Sequence, residues 1–497
     1  MSTTTAPTTE CLADLEEIDL KRVKIDPFWS RVLPAAGARR FQTIALCKID
    51  DQVIVATCNP RLAAVRRFVT TKIKSPIQFV RADRDSMRRV LGQVHVRAEA
   101  GISDDTEDES CETVKVCSEL IRAACLRGAS DIHLVPSETS LECRFRVDGI
   151  LETFRHIDLE LQAGVASRIK VLAGLNIAEK RAPQDGRFSI AADAQLPKIN
   201  VRVATIPTRY GERVTLRLLA PMHSELSLAN LGMAEREMVH FSSALQSPSG
   251  LILLTGPTGS GKSTTLYTSI TELMATRGGN VITVEDPIEY EIPGVTQVEV
   301  DSAEKVTFLG ALRSILRHDP DIIMLGEIRD AETAELAIKA SLTGHLVFST
   351  LHTNNAAGVV TRLIDMGVQP FLVAATLRMA IAQRLVRKLC PHCRVPATLS
   401  RTEAAALGIP SAEGTGAFRS QGCVYCAGRG FIGRTAIFEM LRGGAELSDL
   451  ISGGASESEL HQHMQTTDAC LFSDDGLQKI QAGDTTAEQI IRGVATW

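Results

Sequence analysis

Short apolar runs alternate with longer amphipathic ones along most of this chain, and the alternation changes character twice. Between Ile18 and Val94, strand-like runs at Thr43–Ile49, Gln52–Thr57 and Pro76–Val80 are interleaved with helical patterns at Pro60–Thr70 and Asp83–Val94. This mixture predicts a small α+β module. An amphipathic helix over Thr113–Leu126 opens a second module, followed by strand patterns at Asp131–Val135, Leu141–Val147 and Arg187–Ala191. A hairpin of Asn200–Pro207 and Arg213–Leu219, turned at Thr208-Arg-Tyr-Gly211, closes it. From Leu228 onward, four short and mainly apolar runs begin at residues 251 (LILL), 281 (VITV), 321 (DIIML) and 346 (LVFST), each followed by a helical pattern. Buried strands alternating with helices predict an α/β core whose parallel sheet is covered on both faces.

These changes divide the sequence into a Thr-rich tail over 1–17, a first module over 18–96 and an acidic linker over 97–112. The second module follows over 113–222, the α/β core over 223–389, a cysteine-bearing insertion over 390–426 and a helical region over 427–497. No internal repeat is visible. The linker contains DDTEDES and no aromatic residue, a composition read as a solvated spacer.

Composition narrows the classes. A chain of 497 residues with 44% hydrophobic and 23% charged residues has room for several cores. Its 54 Lys and Arg against 59 Asp and Glu leave a formal charge of −5, which disfavours a protein that coats nucleic acid. The best apolar stretch, Phe371–Ile381, is broken by Arg378 and flanked by Asp365 and Arg384, so no membrane span is expected. The opening MSTTTAPTTECLADLEE has neither a basic nor an apolar leader segment, so a cytoplasmic protein is expected.

Gly256-Pro257-Thr258-Gly259-Ser260-Gly261-Lys262-Ser263 fits G-x-x-x-x-G-K-[ST], with the run Leu251–Leu254 as the strand before it and Thr264–Met274 as the helix after it. Glycines let successive backbone N–H groups curl toward phosphate oxygens, and the following helix adds the positive end of its dipole. Lys262 is expected on the β- and γ-phosphates, and the Ser263 hydroxyl on Mg²⁺.

Three polar strand ends follow this loop. ITVEDPIEY (282–290) carries Glu285, Asp286 and Glu289; DPDIIMLGEIRD (319–330) carries Glu327; TGHLVFSTLHT (343–353) carries His345 and His352. Open parallel sheets bind ligands at the carboxyl ends of their strands. Hydrolysis needs one carboxylate to deprotonate water and another near the metal.

With these motifs in this order, the chain resembles the type II secretion ATPase and type IV pilus assembly ATPase family of the secretion-ATPase superfamily. The resemblance includes GASDIH (128–133), FRVDGIL (145–151) and QDGRF (184–188) in the second module. It implies a RecA-like P-loop core behind two small N-terminal domains, the second PAS-like, with ATP held by residues 256–264, Thr264 included. It further implies Glu289 as catalytic base with Glu285 as the second candidate, Glu327 as the carboxylate near the metal, and His352, then His345, near the γ-phosphate. Arg202 and Arg217 match arginines that the family's second domain delivers to nucleotide within a hexamer. The implied protein is a Mg-dependent homo-hexamer, peripheral at the inner membrane through a platform protein and a cytoplasmic anchor protein, without direct nucleic-acid contact. It powers pseudopilus or pilus assembly; the alternatives are a nucleotide-gated scaffold with little turnover, a retraction motor or a nucleic-acid transport motor. Relatives that bind cyclic di-GMP do so through stretches beginning Arg-Leu-Gly, a tripeptide this chain lacks.

Of twelve cysteines, four form Cys390-Pro-His-Cys393 and Cys423-Val-Tyr-Cys426. Paired C-x₂-C knuckles wrap a tetrahedral ion, and four thiolates select zinc. A redox C-x₂-C would need a thioredoxin-like context that is missing here, and the resemblance also points to zinc. His392 is read as a spacer, not a ligand.

Overall fold

The computed structural model describes residues 15–59, 62–94, 109–190, 198–219, 227–300, 306–467 and 469–495. The tail to residue 14 and most of the expected linker fall outside these. The helix Glu109–Arg127 begins four residues inside the run read as linker, up to residue 112. Carboxylates in a first turn are favoured by the helix dipole, so acidic composition alone does not mark coil there.

The chain divides into two compact units, one of Met1–Pro221 with Cys390–Val395 and Ser420–Ile432, the other of the remaining core and C-terminal segments. In the first unit, a four-stranded sheet runs in the order Glu17–Ile18, Ile77–Ala82, Gln52–Thr57, Thr43–Ile49. A six-stranded sheet follows in the order Ile150–Asp158, Ser140–Val147, Ala129–Pro136, Gly211–Leu219, Ile199–Thr208, Gln184–Ile190. Its strands alternate: Ile199, Val201 and Val203 are buried among residues of the helices Glu109–Arg127 and Leu159–Leu172, while Asn200 and Ala204 are exposed. The cysteine knuckle belongs to this unit. Val424, Tyr425 and Ala427 pack against the first module's core, and the Lys24 N–H donates to the Tyr425 carbonyl at 3.3 Å.

In the second unit, one seven-stranded sheet runs Thr296–Glu299, Val281–Glu285, Ile322–Leu325, Leu346–Leu351, Gly250–Thr255, Leu377–Leu389, Phe431–Arg442. Its first six strands pair in parallel. Every residue of Gly250–Thr255 and Leu346–Leu351 is buried, as a sheet covered on both faces requires. Three strands of this sheet were not anticipated: the short edge strand Thr296–Glu299 and two longer ones. Leu377–Leu389 carries Arg378, Gln383, Arg384, Arg387 and Lys388 in an otherwise apolar run, which hides a strand pattern. Phe431–Arg442 lies in the region read as helical, which then continues as the helices Ala445–Ser452, Glu457–Thr466, Phe472–Ala482 and Ala487–Ala495. Among the described residues, no helix is long and apolar enough to cross a membrane.

Candidate active site

Four neighbouring strands of the large sheet end at one edge, and each delivers polar residues there. Gly250–Thr255 passes into the glycine loop, where Gly256, Gly259 and Gly261 all have positive φ, of 142°, 80° and 91°. A side chain at Gly256 would place its Cβ 2.5 Å from the Gln383 carbonyl oxygen, so glycine is required by space as well as by φ. The helix Lys262–Thr276 starts at the last of these glycines. Lys262 Nζ donates to the carbonyls of Gly256 and Pro257 at 2.6 and 3.2 Å, curling over the loop. Burial, and then the Arg384 guanidinium, push its ammonium down to about 8, against the pull of Glu327. Ser260 Oγ is buried in the same loop with no hydrogen-bond partner among the described residues. A buried orphan hydroxyl and an ammonium held on carbonyl oxygens both fit an anion receptor.

The strand Val281–Glu285 brings up the acidic loop. Glu285 is 4% exposed, and its carboxylate accepts from the Tyr267 hydroxyl, from Thr283 Oγ1 at 2.6 Å and from Gln297 Nε2 at 3.0 Å. The Glu289 N–H donates to the Tyr267 hydroxyl oxygen at 3.2 Å, so the same tyrosine links the two glutamates. Burial, with Glu285 next, holds the Tyr267 phenol far above its ordinary value, so it stays a hydrogen-bond donor. Among the described residues the Glu289 carboxylate accepts no hydrogen bond, and its residue is only partly buried. The two carboxylates are therefore physically unlike: one is saturated and dry, the other open.

Strand Ile322–Leu325 leads to Glu327, which pairs with Arg329 and faces His352 Nε2 at 3.3 Å. Arg329 also reaches Asp286 at 3.3 Å, tying the two acidic loops together. The Ile328 N–H donates to the Thr350 carbonyl at 3.0 Å, and Thr350 Oγ1 donates to the Gly326 carbonyl at 2.7 Å, fixing the Glu327 loop against the histidine strand. His345 does not join this group. It precedes the strand Leu346–Leu351, at the opposite end from His352, with Nδ1 at 2.9 Å from the Ala340 carbonyl. A six-residue strand spans about 20 Å, which places it outside the site.

Sequence reasoning missed Gln383 and Arg384. Both are nearly fully buried, on the strand beside the glycine loop. Gln383 Oε1 accepts from Thr265 Oγ1 at 2.8 Å, and Arg384 Nη2 donates to the Asn354 carbonyl at 2.5 Å. The available signal was the Gln383-Arg384 pair interrupting an apolar run; in the sequence analysis Arg384 figures only as a flank of the stretch Phe371–Ile381, and Gln383 not at all.

The tetracysteine cluster also assembles. The four Sγ atoms lie within 4.8 Å of one another, with Cys390–Cys423, Cys393–Cys426 and Cys423–Cys426 separations of 3.7, 3.8 and 3.8 Å. Sulfurs about 2.3 Å from a central ion, at tetrahedral angles, stand about 3.8 Å apart, so the donor set fits zinc. The N–H groups of Cys423 and Gly430 donate to Cys426 Sγ at 3.2 and 3.1 Å. Burial alone would raise that thiol; these donors outweigh it and bring it below its ordinary value. His392 stacks on Tyr425 with ring centroids 4.0 Å apart, outside the sulfur set.

In the other unit, Arg202 and Arg217 are direct cross-strand partners. Arg217 Nε donates to Asp131 Oδ1 at 3.1 Å.

Comparison with known proteins gives this geometry a family. The family model described as "Type II/IV secretion system protein" matches residues 106–492. The chain is 45% identical to type II secretion system protein E of Pseudomonas aeruginosa, over 93% of this chain and 96% of that one. It is 37% identical to the type IV pilus assembly ATPase PilB of Myxococcus xanthus, over 96% of this chain and 88% of that one. Among solved structures, the pilus retraction motor PilT with bound ADP aligns at a TM-score of 0.52 and 28% identity, covering 76% of this chain and 96% of that one. The ATPase DotB of Legionella pneumophila shares the fold, with a TM-score of 0.58 at 21% identity, over 80% of this chain and 98% of that one. The chain belongs to the type II/IV secretion system protein family and is an ATPase of it.

Proposed function

We propose that this family member hydrolyses ATP as a homo-hexameric ring and uses the cycle to drive pseudopilus assembly for type II secretion, or assembly of a type IV pilus. Support for the secretion arm comes from the relatives of its own length, of which the secretion protein at 45% identity exceeds the pilus ATPase at 37%. The observation that carries the chemistry is the convergence of Lys262, the Glu289 loop and the Glu327–His352 pair at the carboxyl edge of one parallel sheet.

In this reading the backbone N–H groups of residues 256–264 cradle the phosphates, and Lys262 exchanges its carbonyl partners for β- and γ-phosphate oxygens. Ser263 and Glu327 would hold Mg²⁺, which supplies charge neutralisation on the triphosphate when bound. Glu289 orients the attacking water and accepts its proton. Glu285 sets the height of the Glu289 loop through Tyr267, without taking a proton itself. His352 faces the γ-phosphate region with Glu327 at its back. Arg202 and Arg217 complete the site of a neighbouring copy. Cys390, Cys393, Cys423 and Cys426 would hold zinc, which supplies folding energy to a small knuckle. The working location is the cytoplasmic face of the inner membrane, with a platform protein driven by the ring and an anchor protein on the first module.

Glu289→Gln and Glu285→Gln test these roles. The first should leave ATP binding within a few-fold and lower turnover by about 10²–10⁴. The second should lower the melting temperature, with a smaller loss of turnover. Wild-type turnover by Glu289→Gln would overturn the assignment of the base.

A further inference from the structure

His352 follows the strand Leu346–Leu351, and the four residues after it are held one by one, each by a different element. The Thr353 N–H donates to Thr255 Oγ1 at 2.7 Å, at the end of the strand that enters the glycine loop. The Asn354 carbonyl accepts from Arg384 Nη2 at 2.5 Å, on the neighbouring strand Leu377–Leu389. Asn355 Nδ2 donates to Glu457 Oε1 at 2.8 Å, in the first turn of the helix Glu457–Thr466. The Ala356 N–H donates to Glu439 Oε1 at 2.8 Å, on the strand Phe431–Arg442. Elements far apart in sequence thus converge on the turn that carries the chain away from His352.

Among these anchors Arg384 is the one cation. It is 4% exposed, and among the described residues its guanidinium donates to two neutral groups, the Asn354 carbonyl and, at 3.1 Å, the Gln383 carbonyl. Its Nε is buried with no hydrogen-bond partner among the described residues. The Phe472 ring lies beneath it, with the centroid 5.3 Å from Cζ. Burial lowers the guanidinium against the pull of Glu439, which is itself buried. A charge buried on carbonyls is costly, and an apolar side chain of similar volume often serves a core equally well. The cost falls where the guanidinium packs on the glycine loop. A Cβ at Gly256 would stand 2.9 Å from Arg384 Nη1 and 2.8 Å from Ser260 Oγ. One planar fork therefore touches the glycine loop and grips the turn after His352.

We propose that Arg384 is a positioning residue for hydrolysis: packed on Gly256 and holding the Asn354 carbonyl, it fixes His352 relative to the glycine loop. This rests on the reading of His352 given above and adds the residue through which that histidine is set. Displacing a group at a reacting centre by about 1 Å can cost about 10²-fold in rate, which is reason enough to keep a buried charge at this junction.

The test uses the full-length protein at a concentration where light scattering shows hexamers, with kcat, KM and melting temperature measured for each variant. Arg384→Met fills the same space without charge. It should lower kcat about 10–100-fold, as for loss of one charged hydrogen bond, with KM within a few-fold of wild type. Its melting temperature should stay at or above that of wild type, because the buried charge is gone. Arg384→Lys keeps the charge but lacks the planar fork, so its kcat should fall nearly as far. The deciding readout is the double variant: Arg384→Lys with His352→Gln should be no slower than His352→Gln alone, because the arginine acts through that histidine. Wild-type kcat in Arg384→Lys, or additive losses in the double variant, would overturn the positioning role. So would an Arg384→Met protein that fails to assemble, or one that melts lower at unchanged kcat; either would make the arginine a structural residue. If His352→Gln is slow while Arg384→Lys is wild type, this inference falls and the reading of His352 stands. Wild-type turnover in His352→Gln would overturn that reading, and this inference with it.

Discussion

The glycine loop and the cross-strand pair Arg202–Arg217 are both proposed here to receive phosphate, yet they are opposite in kind. The loop is eight contiguous residues whose backbone donors, positive φ values and partly buried lysine are set by local sequence and one strand–helix junction. The arginine pair is drawn from two strands by register and lies on the sheet face opposite the core, with Arg217 donating to the buried Asp131. A loop of backbone donors can hold its ligand within one chain; side chains on an open sheet face complete a site only when another molecule is brought against them. In the proposed cycle this difference separates binding from turnover.

Within this comparison, the largest expected effect comes from breaking the arginine pair. Arg217→Gln should reduce turnover by about 10³, at the lower end for an arginine delivered to a transferring phosphoryl group, with nucleotide affinity within a few-fold of wild type. Steady-state kinetics beside a fluorescent-nucleotide titration would show that split. Lys262→Ala breaks the other receptor and should behave differently. Turnover should fall by about 10²–10³, as for loss of one oriented donor, and nucleotide affinity should fall with it. Equal patterns for the two variants would erase the distinction between receptors.

Metal removal is a control on both. Freshly reduced protein should contain about one zinc per chain, and Cys390→Ser with Cys423→Ser should abolish it and lower the melting temperature by several degrees. Neither anion receptor includes a cysteine, so nucleotide affinity should be unchanged.

The smallest effect is a proton. Burial leaves the folded, ligand-free Lys262 half-protonated near pH 8, well below the unfolded value. The unfolded chain thus holds this proton to higher pH, and the charged lysine's burial cost is relieved as pH rises from about 8 toward 10. Bound phosphates restore the charge, so nucleotide binding at pH 8 should take up about half a proton. Calorimetry in buffers of different ionisation enthalpy would detect it, and no uptake would mean that the lysine is fully charged before binding.

How much of this was legible in the sequence follows the same division. The glycine loop, the Glu289 and Glu327 loops and the cysteine pairs are contiguous motifs, and the parallel strands expected at residues 251, 281, 321 and 346 are present within one residue of those starts. The strands Leu377–Leu389 and Phe431–Arg442 were hidden because polar side chains interrupt their apolar pattern, among them Gln383 and Arg384 beside the glycine loop and Glu439, which accepts from the Ala356 N–H. Glu285 and Glu289 look alike in sequence. Only the hydrogen bonds from Tyr267, Thr283 and Gln297 tell them apart. His345 and His352 share one motif, but a strand puts them at opposite ends. Arg202, Arg217 and Asp131 meet only through strand register, which no spacing rule encodes.

The central claim is that a single chain binds nucleotide but does not by itself complete the site that turns it over. Specific ATPase activity should be measured across a dilution series from hexamer to monomer, with mass and nucleotide affinity followed in the same samples. The account predicts constant affinity per chain and turnover that collapses as the ring dissociates. Full turnover in a demonstrably monomeric sample would contradict it.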